Sequence, residues 1–187
     1  MGKGSLIILS GPSGVGKGTV RQKLEDLGGV SFYYSVSMTT RSPRPGEVDG
    51  RDYFFVTREE FEKRVKDGKF LEWAEFVGNC YGTPKDVVDS YREKGIDVLL
   101  EIETNGAEQV MAKCPDAVSI FIVPPSFEAL ESRIRGRSTE DEATIQRRLG
   151  KARSELEKAS QYKYVVLNDS VERAAREIAD IISASHR

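Results

Sequence analysis

SLIILSGPSGVGKGT, residues 5–19, decides the architecture. The apolar run Leu6 to Leu9 sits between Ser5 and Ser10, and a short unbroken run of this kind fits a strand buried on both faces. A glycine-rich turn follows, and a helical pattern then runs from about Gly16 to Leu27. The turn matches G-x-x-x-x-G-K-[ST] at Gly11, Gly16 and Lys17 and departs from it at Gly18, where a hydroxyl is expected. Between a strand and a helix, such a loop points backbone N–H groups inward and sets the helix N-terminus against whatever it encloses. Its natural guest is an anion. Gly11, Gly14 and Gly16 permit close approach, and Lys17 adds a mobile point charge. The plain alternative is a tight turn with a solvated lysine.

Outward from this unit the same rhythm repeats. Continuous apolar runs at 97–103 (DVLLEIE), 117–123 (AVSIFIV) and 163–168 (KYVVLN) read as buried strands, and the aromatic FYYSVS at 32–37 is expected to join them. Helices are expected over Thr104–Lys113, Ser126–Arg135, Glu140–Ser160 and Ser170–Ser185, with Ser126 as an N-cap. Strands alternating with helices predict an α/β fold, a mostly parallel sheet covered by helices on both faces.

Two stretches break the rhythm. Residues 37–95 put about 60 residues between two core strands, far more than a crossover requires. They hold a stretch rich in Pro, Gly and charge, a short helix at 58–67 with a Thr57/Glu60 capping box, the aromatic KFLEWAEF, and a second helix after Thr83-Pro84. This is expected to be an inserted lobe. The arginine-rich segment 133–155 is expected to form a small helical lid, leaving 1–36, 96–132 and 156–187 as the core.

The whole chain sets limits. Its 187 residues suit a single domain, and 28 Lys and Arg against 30 Asp and Glu give a net charge of −2, with no general attraction to nucleic acid or an anionic membrane. Cys80, Cys114 and the single His186 offer no zinc or disulfide framework. The apolar start is too short for a membrane span, and a cytoplasmic setting is expected. Cys80, beside Tyr81, is either an oxidation-sensitive thiol or a small inert side chain.

The loop form G-x-x-G-x-G-K-G-T resembles the phosphate loop of adenylate kinase and its relatives. SVSMTTRSPRPGEVDGRDY (35–53), FLEWAEF (70–76) and YGTP (81–84) are similar to guanylate kinase, and that resemblance runs from residue 5 to about residue 182. It implies a P-loop NTPase-like core with a GMP-binding lobe, and an enzyme moving the γ-phosphoryl group of ATP to GMP or dGMP. ADP and GDP are the implied products, with Mg2+ accompanying ATP.

The site follows residue by residue from that resemblance. Gly11, Pro12, Ser13, Gly14, Val15, Gly16, Lys17, Gly18 and Thr19 are implied to hold ATP, with Asn168 near its adenine or serving simply as a strand-terminal turn residue. Without a hydroxyl at 18, the cation is expected to be held mainly by phosphates and water, with Thr19 and Glu101 nearby. Arg41 and Arg44 are planar forks suited to a monophosphate, helped by the phenols of Tyr53 and Tyr81. Glu72 would face the adjacent N–H donors of guanine and Ser37 its O6, with Thr83 also touching the base. Glu101 and Glu103, expected on one face of a strand, would hold waters around the cation and reach the guanine amine. Glu103 and Asn105 depart from the family's more frequent D-x-D or E-x-D followed by x-Q-G.

Lys17, Arg41, Arg133, Arg137 and Arg148 are implied to be catalytic, because phosphoryl transfer calls for positioning and charge stabilisation without a covalent intermediate. Arg135, Arg147, Lys151 and Arg153 read as a solvated helix face. Two rivals remain at this stage: a catalytically silent guanylate-kinase-like protein-binding module, and a kinase of the same fold for another monophosphate.

Overall fold

The structure, a computed structural model, describes residues 2–137 and 139–186; Ser138, within the expected lid, and the two terminal residues lie outside the described set. Along the chain come β1 (Leu6–Ser10), α1 (Lys17–Leu27), β2 (Tyr33–Tyr34), β3 (Met38–Thr39), β4 (Phe54–Phe55), α2 (Arg58–Lys66), β5 (Phe70–Phe76) and β6 (Asn79–Pro84). Then follow α3 (Lys85–Glu93), β7 (Val98–Glu101), α4 (Thr104–Lys113), β8 (Val118–Val123), α5 (Phe127–Gly136), α6 (Glu142–Leu156), β9 (Tyr164–Leu167) and α7 (Val171–Ala184).

Five strands form a parallel sheet in the order β2-β7-β1-β8-β9. The chain leaves β1 first toward β2 and β7, then returns to the other side for β8 and β9. The carboxyl end of β1 is therefore the switch point of an open α/β sheet, where ligands bind in such folds. The apolar runs are continuous because alternate residues serve different cores. Ile7, Leu9, Leu99, Ile120 and Val166 meet α1, α5, α6 and α7 on one face, whereas Leu6, Ile8, Val98, Leu100 and Phe121 meet α3 and α4 on the other.

The excursion between β2 and β7 builds its own sheet, in the order β4-β3-β6-β5. A small core of Met38, Phe61, Phe70 and Cys80 holds α2 against it, with the rings of Phe61 and Phe70 stacked at 4.4 Å. A register shift between Phe70 and Glu72 sends Leu71 into the core of the main sheet while Phe70 stays with α2. Irregularities of this kind re-aim side chains, and this one fastens the two sheets together. Cys80 is 3% exposed and burial pushes its thiol up, which favours the inert reading.

Several expectations need correction. The strand expected at 32–37 shortens to Tyr33–Tyr34, because its downstream half leaves to start the second sheet. The strand expected at 97–103 ends at Glu101, and Glu103 is the N-cap of α4. Glu101 and Glu103 thus do not share a strand face. The helix expected over 140–160 ends at Leu156 and tightens into a 3₁₀ turn, Glu157–Gln161, while Arg133 belongs to the unbroken helix α5. The Thr57 capping box and the Ser126 cap are present, with Asp141 and Ser170 capping α6 and α7 in the same way. No described helix is long and apolar enough to cross a membrane.

Candidate active site

The loop after β1 is shaped from behind. Gly16, at φ 93°, is the N-cap of α1, a conformation that favours glycine. Space behind it is also tight: a Cβ there would lie 3.0 Å from Arg133 Nη1 and 3.2 Å from Asn168 Nδ2. Both of those groups donate to the Val15 carbonyl, at 2.8 and 2.9 Å. Asn168, buried at the end of β9, and Arg133, from α5, therefore hold the loop's backbone. No side chain caps α1 and no acidic residue lies in its first turn, so its leading N–H groups face the cleft without a side-chain acceptor.

That cleft, about 450 Å³, is lined by Ser13, Gly14, Lys17, Thr19 and Arg137 among others. Lys17 Nζ donates to the Gly11 carbonyl at 2.9 Å and lies 3.5 Å from that of Pro12. Burial lowers the affinity of Lys17 for its proton, and Glu155, Glu103 and Glu101 oppose that shift in that order. Glu155, 4% exposed, reaches the cleft from α6, and burial raises its pKa against the pull of Lys151 and Lys17.

A second cavity of about 130 Å³ is lined by Ser37, Tyr53, Thr83, Ser35 and Asp52. Three residues, Tyr34, Glu101 and Ile102, line both spaces. The two cavities are thus neighbours across one short ridge at the carboxyl end of β7. Behind Thr83 lies Glu72, 8% exposed, whose Oε1 accepts from the Thr83 hydroxyl at 2.7 Å. Burial pushes the Glu72 carboxyl up, while Thr83 and Lys113 pull it back. Helix α4 presses on the same carboxylate: a Cβ at Gly106 would come within 2.7 Å of Glu72 Oε2.

The cations of this half are prearranged. Arg41 is held by Glu47 through two 2.9 Å hydrogen bonds and lies 5.3 Å from the centroid of the Tyr53 ring. Glu47 also accepts the Arg44 amide at 2.7 Å, and with Arg41 its pKa falls to about 2. The Tyr53 and Tyr81 rings meet edge-on at 6.1 Å. Arg44 is exposed.

The arginines downstream divide by position. Arg137 lines the larger cleft. Arg148 does not, being paired with Glu140 at 2.9 Å on the exposed side of α6. Arg135 is paired with Glu131 and Glu142, as its reading as a solvated residue anticipates. Lys151, also solvated, reaches Glu103 at 3.1 Å.

The guanylate kinase family model matches residues 3–185. The chain belongs to the guanylate kinase family. It is 54% identical over 184 residues to the guanylate kinases of Streptococcus thermophilus (strain CNRZ 1066) and Streptococcus agalactiae serotype III (strain NEM316), covering 98% of this chain and 88% of each relative. The crystal structure of guanylate kinase from Anaplasma phagocytophilum superposes with a TM-score of 0.75 at 37% identity, over 98% of this chain and 87% of that one.

Within this guanylate kinase fold, sequence reasoning missed Tyr34, Glu47, Gly106 and Glu155. Tyr34 reads only as an aromatic strand residue, and Glu155 as one more acid on a charged helix. Glu47 falls within the stretch 35–53 that carries the resemblance, and Gly106 is a glycine inside a helical pattern, which costs helix propensity.

Proposed function

We propose that this chain transfers the γ-phosphoryl group of ATP to GMP, with dGMP as a second acceptor, releasing ADP and GDP for guanine nucleotide synthesis and recycling. The observation that carries the reading is the pair of cavities meeting at Tyr34, Glu101 and Ile102. One is bordered by Lys17 and the uncapped start of α1, the other by polar groups suited to a purine edge. In-line transfer needs donor and acceptor end to end, and two adjoining cavities support that reading.

In this reading Gly11–Thr19 cradle the ATP phosphates and Lys17 exchanges its loop carbonyls for phosphate oxygens. Arg133 and Asn168 keep the loop in shape. The Glu72 carboxylate accepts from the N–H donors of guanine and Ser37 meets O6, with Thr83 fixing Glu72. Adenine would set a lone pair against that carboxylate, and sites built around such hydrogen bonds discriminate by roughly 10⁴-fold. Arg41 and Arg44, with Tyr53 and Tyr81, hold the monophosphate, and Glu103 lies at the cleft mouth. Arg137, joined by Arg148 as residues 133–155 close like a lid over the core, neutralises charge on the transferred group. Residues 37–95 serve as the acceptor lobe.

The ion proposed to travel with ATP is Mg2+. The donors facing the cleft are oxygens, from Glu101, Glu103 and Thr19, which suit a hard cation. Among the described residues no group of three or more His, Cys, Asp or Glu could hold a metal alone, so phosphates and waters complete the shell. When bound, the ion would supply positive charge to offset that of the phosphates, with Thr19, Glu101 and Glu103 placed to hold it or its waters. A cytoplasmic setting belongs to the same proposal. A silent binding module would have no use for Lys17, Arg137 and a preformed Arg41–Glu47 fork together.

The test is a coupled assay of ADP formation with Mg2+ and a panel of GMP, dGMP, AMP, CMP and UMP. Turnover confined to GMP and dGMP is the expected outcome; equal turnover with AMP or CMP would remove the base assignment.

A further inference from the structure

Helix α6 buries Ile145, Leu149 and Ala152 on one face, and the next residue buried along it is Glu155. The spacing is that of a core stripe, so a carboxylate stands where an apolar side chain would seal the helix. One of its oxygens, Oε1, is buried without a hydrogen-bond partner among the described residues. A charged group placed so is costly, and packing alone gives no reason for it.

Its surroundings give another reason. Glu155 lines the larger cleft together with Ser13, Gly14 and Lys17. Burial works against its charge, while Lys151, Lys17 and the Ser13 amide, which donates toward it, support the charge in that order. The influence is mutual: burial works to discharge Lys17, and Glu155 is foremost among the acids that oppose this, ahead of Glu103 and Glu101. The lysine and the loop amide that attract this carboxylate are groups that a phosphate would also seek.

We propose that Glu155 is a built-in competitor for the phosphate end of the ATP site, an anion carried by α6 that holds Ser13 and Lys17 of the phosphate loop and yields to incoming phosphates. The inference rests on the larger cleft being the ATP site. Like charges share a partly buried space only at a cost, so Glu155 opposes each ligand in proportion to the charge it brings. ATP is therefore held less tightly than its contacts alone would allow, ADP is penalised less, and adenosine is not penalised. Because Glu155 and Arg148 ride on the same helix, displacing the carboxylate also loosens the tie between the phosphate loop and the segment proposed to close over it.

Calorimetric titration of ATP, ADP and adenosine into the full chain, with Mg2+ present, tests this. Glu155→Gln, which keeps the shape of the side chain and removes its charge, is expected to tighten ATP about fivefold and ADP about twofold, with adenosine unchanged. Glu155→Leu is expected to shift the three ligands in the same order, and it keeps the test open should the amide of Gln disturb the fold. Glu155→Asp, which retains the charge, is expected to stay within about twofold of the parent for all three. Weaker or unchanged ATP binding in the folded Gln and Leu variants would make Glu155 a scaffold for the phosphate loop and overturn the proposal. An Asp variant that tightened ATP as much as the Gln variant would overturn it equally, since the effect would then follow shape and not charge. A parent protein that bound neither ATP nor ADP would instead strike the reading of the cleft itself.

Discussion

Glu72 and Thr83 face each other across the β5–β6 pair, the Thr83 hydroxyl donating at 2.7 Å to a carboxylate that is 8% exposed. This contact satisfies one oxygen of Glu72 from within the protein and leaves the carboxylate acceptor-only, the chemistry a guanine edge demands. Glu72→Gln replaces an acceptor by a donor without changing volume. Steady-state kinetics with the nucleotide panel should register a fall of about 10²-fold or more in kcat/KM for GMP, with KM for ATP within about twofold of the parent.

Gly106 should prove as selective as Glu72 itself. Gly106→Ala brings a methyl to 2.7 Å from Glu72 Oε2, and the carboxylate, held by Thr83, must turn away. Helix α4 gains propensity from the change, so the fold survives. KM for GMP should rise about tenfold while KM for ATP stays put, since a small misplacement of a positioning group is costly. An unaltered KM for GMP would mean that the carboxylate is free to shift at no cost.

Acidity should act on Glu72 in two opposite senses. Burial raises its pKa from the ordinary 4.5, so in the folded protein it takes up its proton at a higher pH than in the unfolded chain. As pH falls through that raised value, kcat/KM for GMP should decline because the acceptor is lost. Folding moves the other way. A group that binds protons more tightly when folded contributes stability that is present at low pH and lost as pH rises through the folded pKa. Glu72→Gln, which stays neutral, should therefore be more stable than the parent at pH 7, and denaturant titrations should show the gap closing as pH approaches 4.5.

Lys17 should be the residue on which every acceptor depends. Lys17→Ala removes the one ammonium that bridges the Gly11 and Pro12 carbonyls at the foot of the cleft. Turnover should fall by about 10³-fold with GMP and dGMP alike, while GMP binding followed by calorimetry stays close to the parent value. Loss of GMP binding together with turnover would place Lys17 on the acceptor side.

The sequence by itself determined the local chemistry. Leu6 to Leu9 followed by the loop at 11–19 named a buried strand, an anion cradle and a helix, because strand burial, glycine spacing and helix capping are written in neighbouring residues. The Thr57 and Ser126 caps were legible for the same reason. Arg41, Arg44, Tyr53 and Glu72 are expected as an acceptor set through the resemblance of 35–53 and 70–76 to guanylate kinase, and nothing in those stretches revealed Glu47 as the clamp on Arg41.

Tertiary structure decided what depends on contacts between distant segments. Only the fold brings Gly106 against Glu72, Asn168 onto Val15, and Tyr34 and Glu101 to the ridge between two cavities. It also ended β7 at Glu101 and turned Glu103 into a helix cap, so two acids that alternation would have aligned point to different partners, Tyr34 and Lys151. The physical reason is one of range. Backbone preferences are set within a few residues, whereas the pairing of a carboxylate with a hydroxyl 67 positions away is fixed by sheet order and by the burial that holds the sheet together.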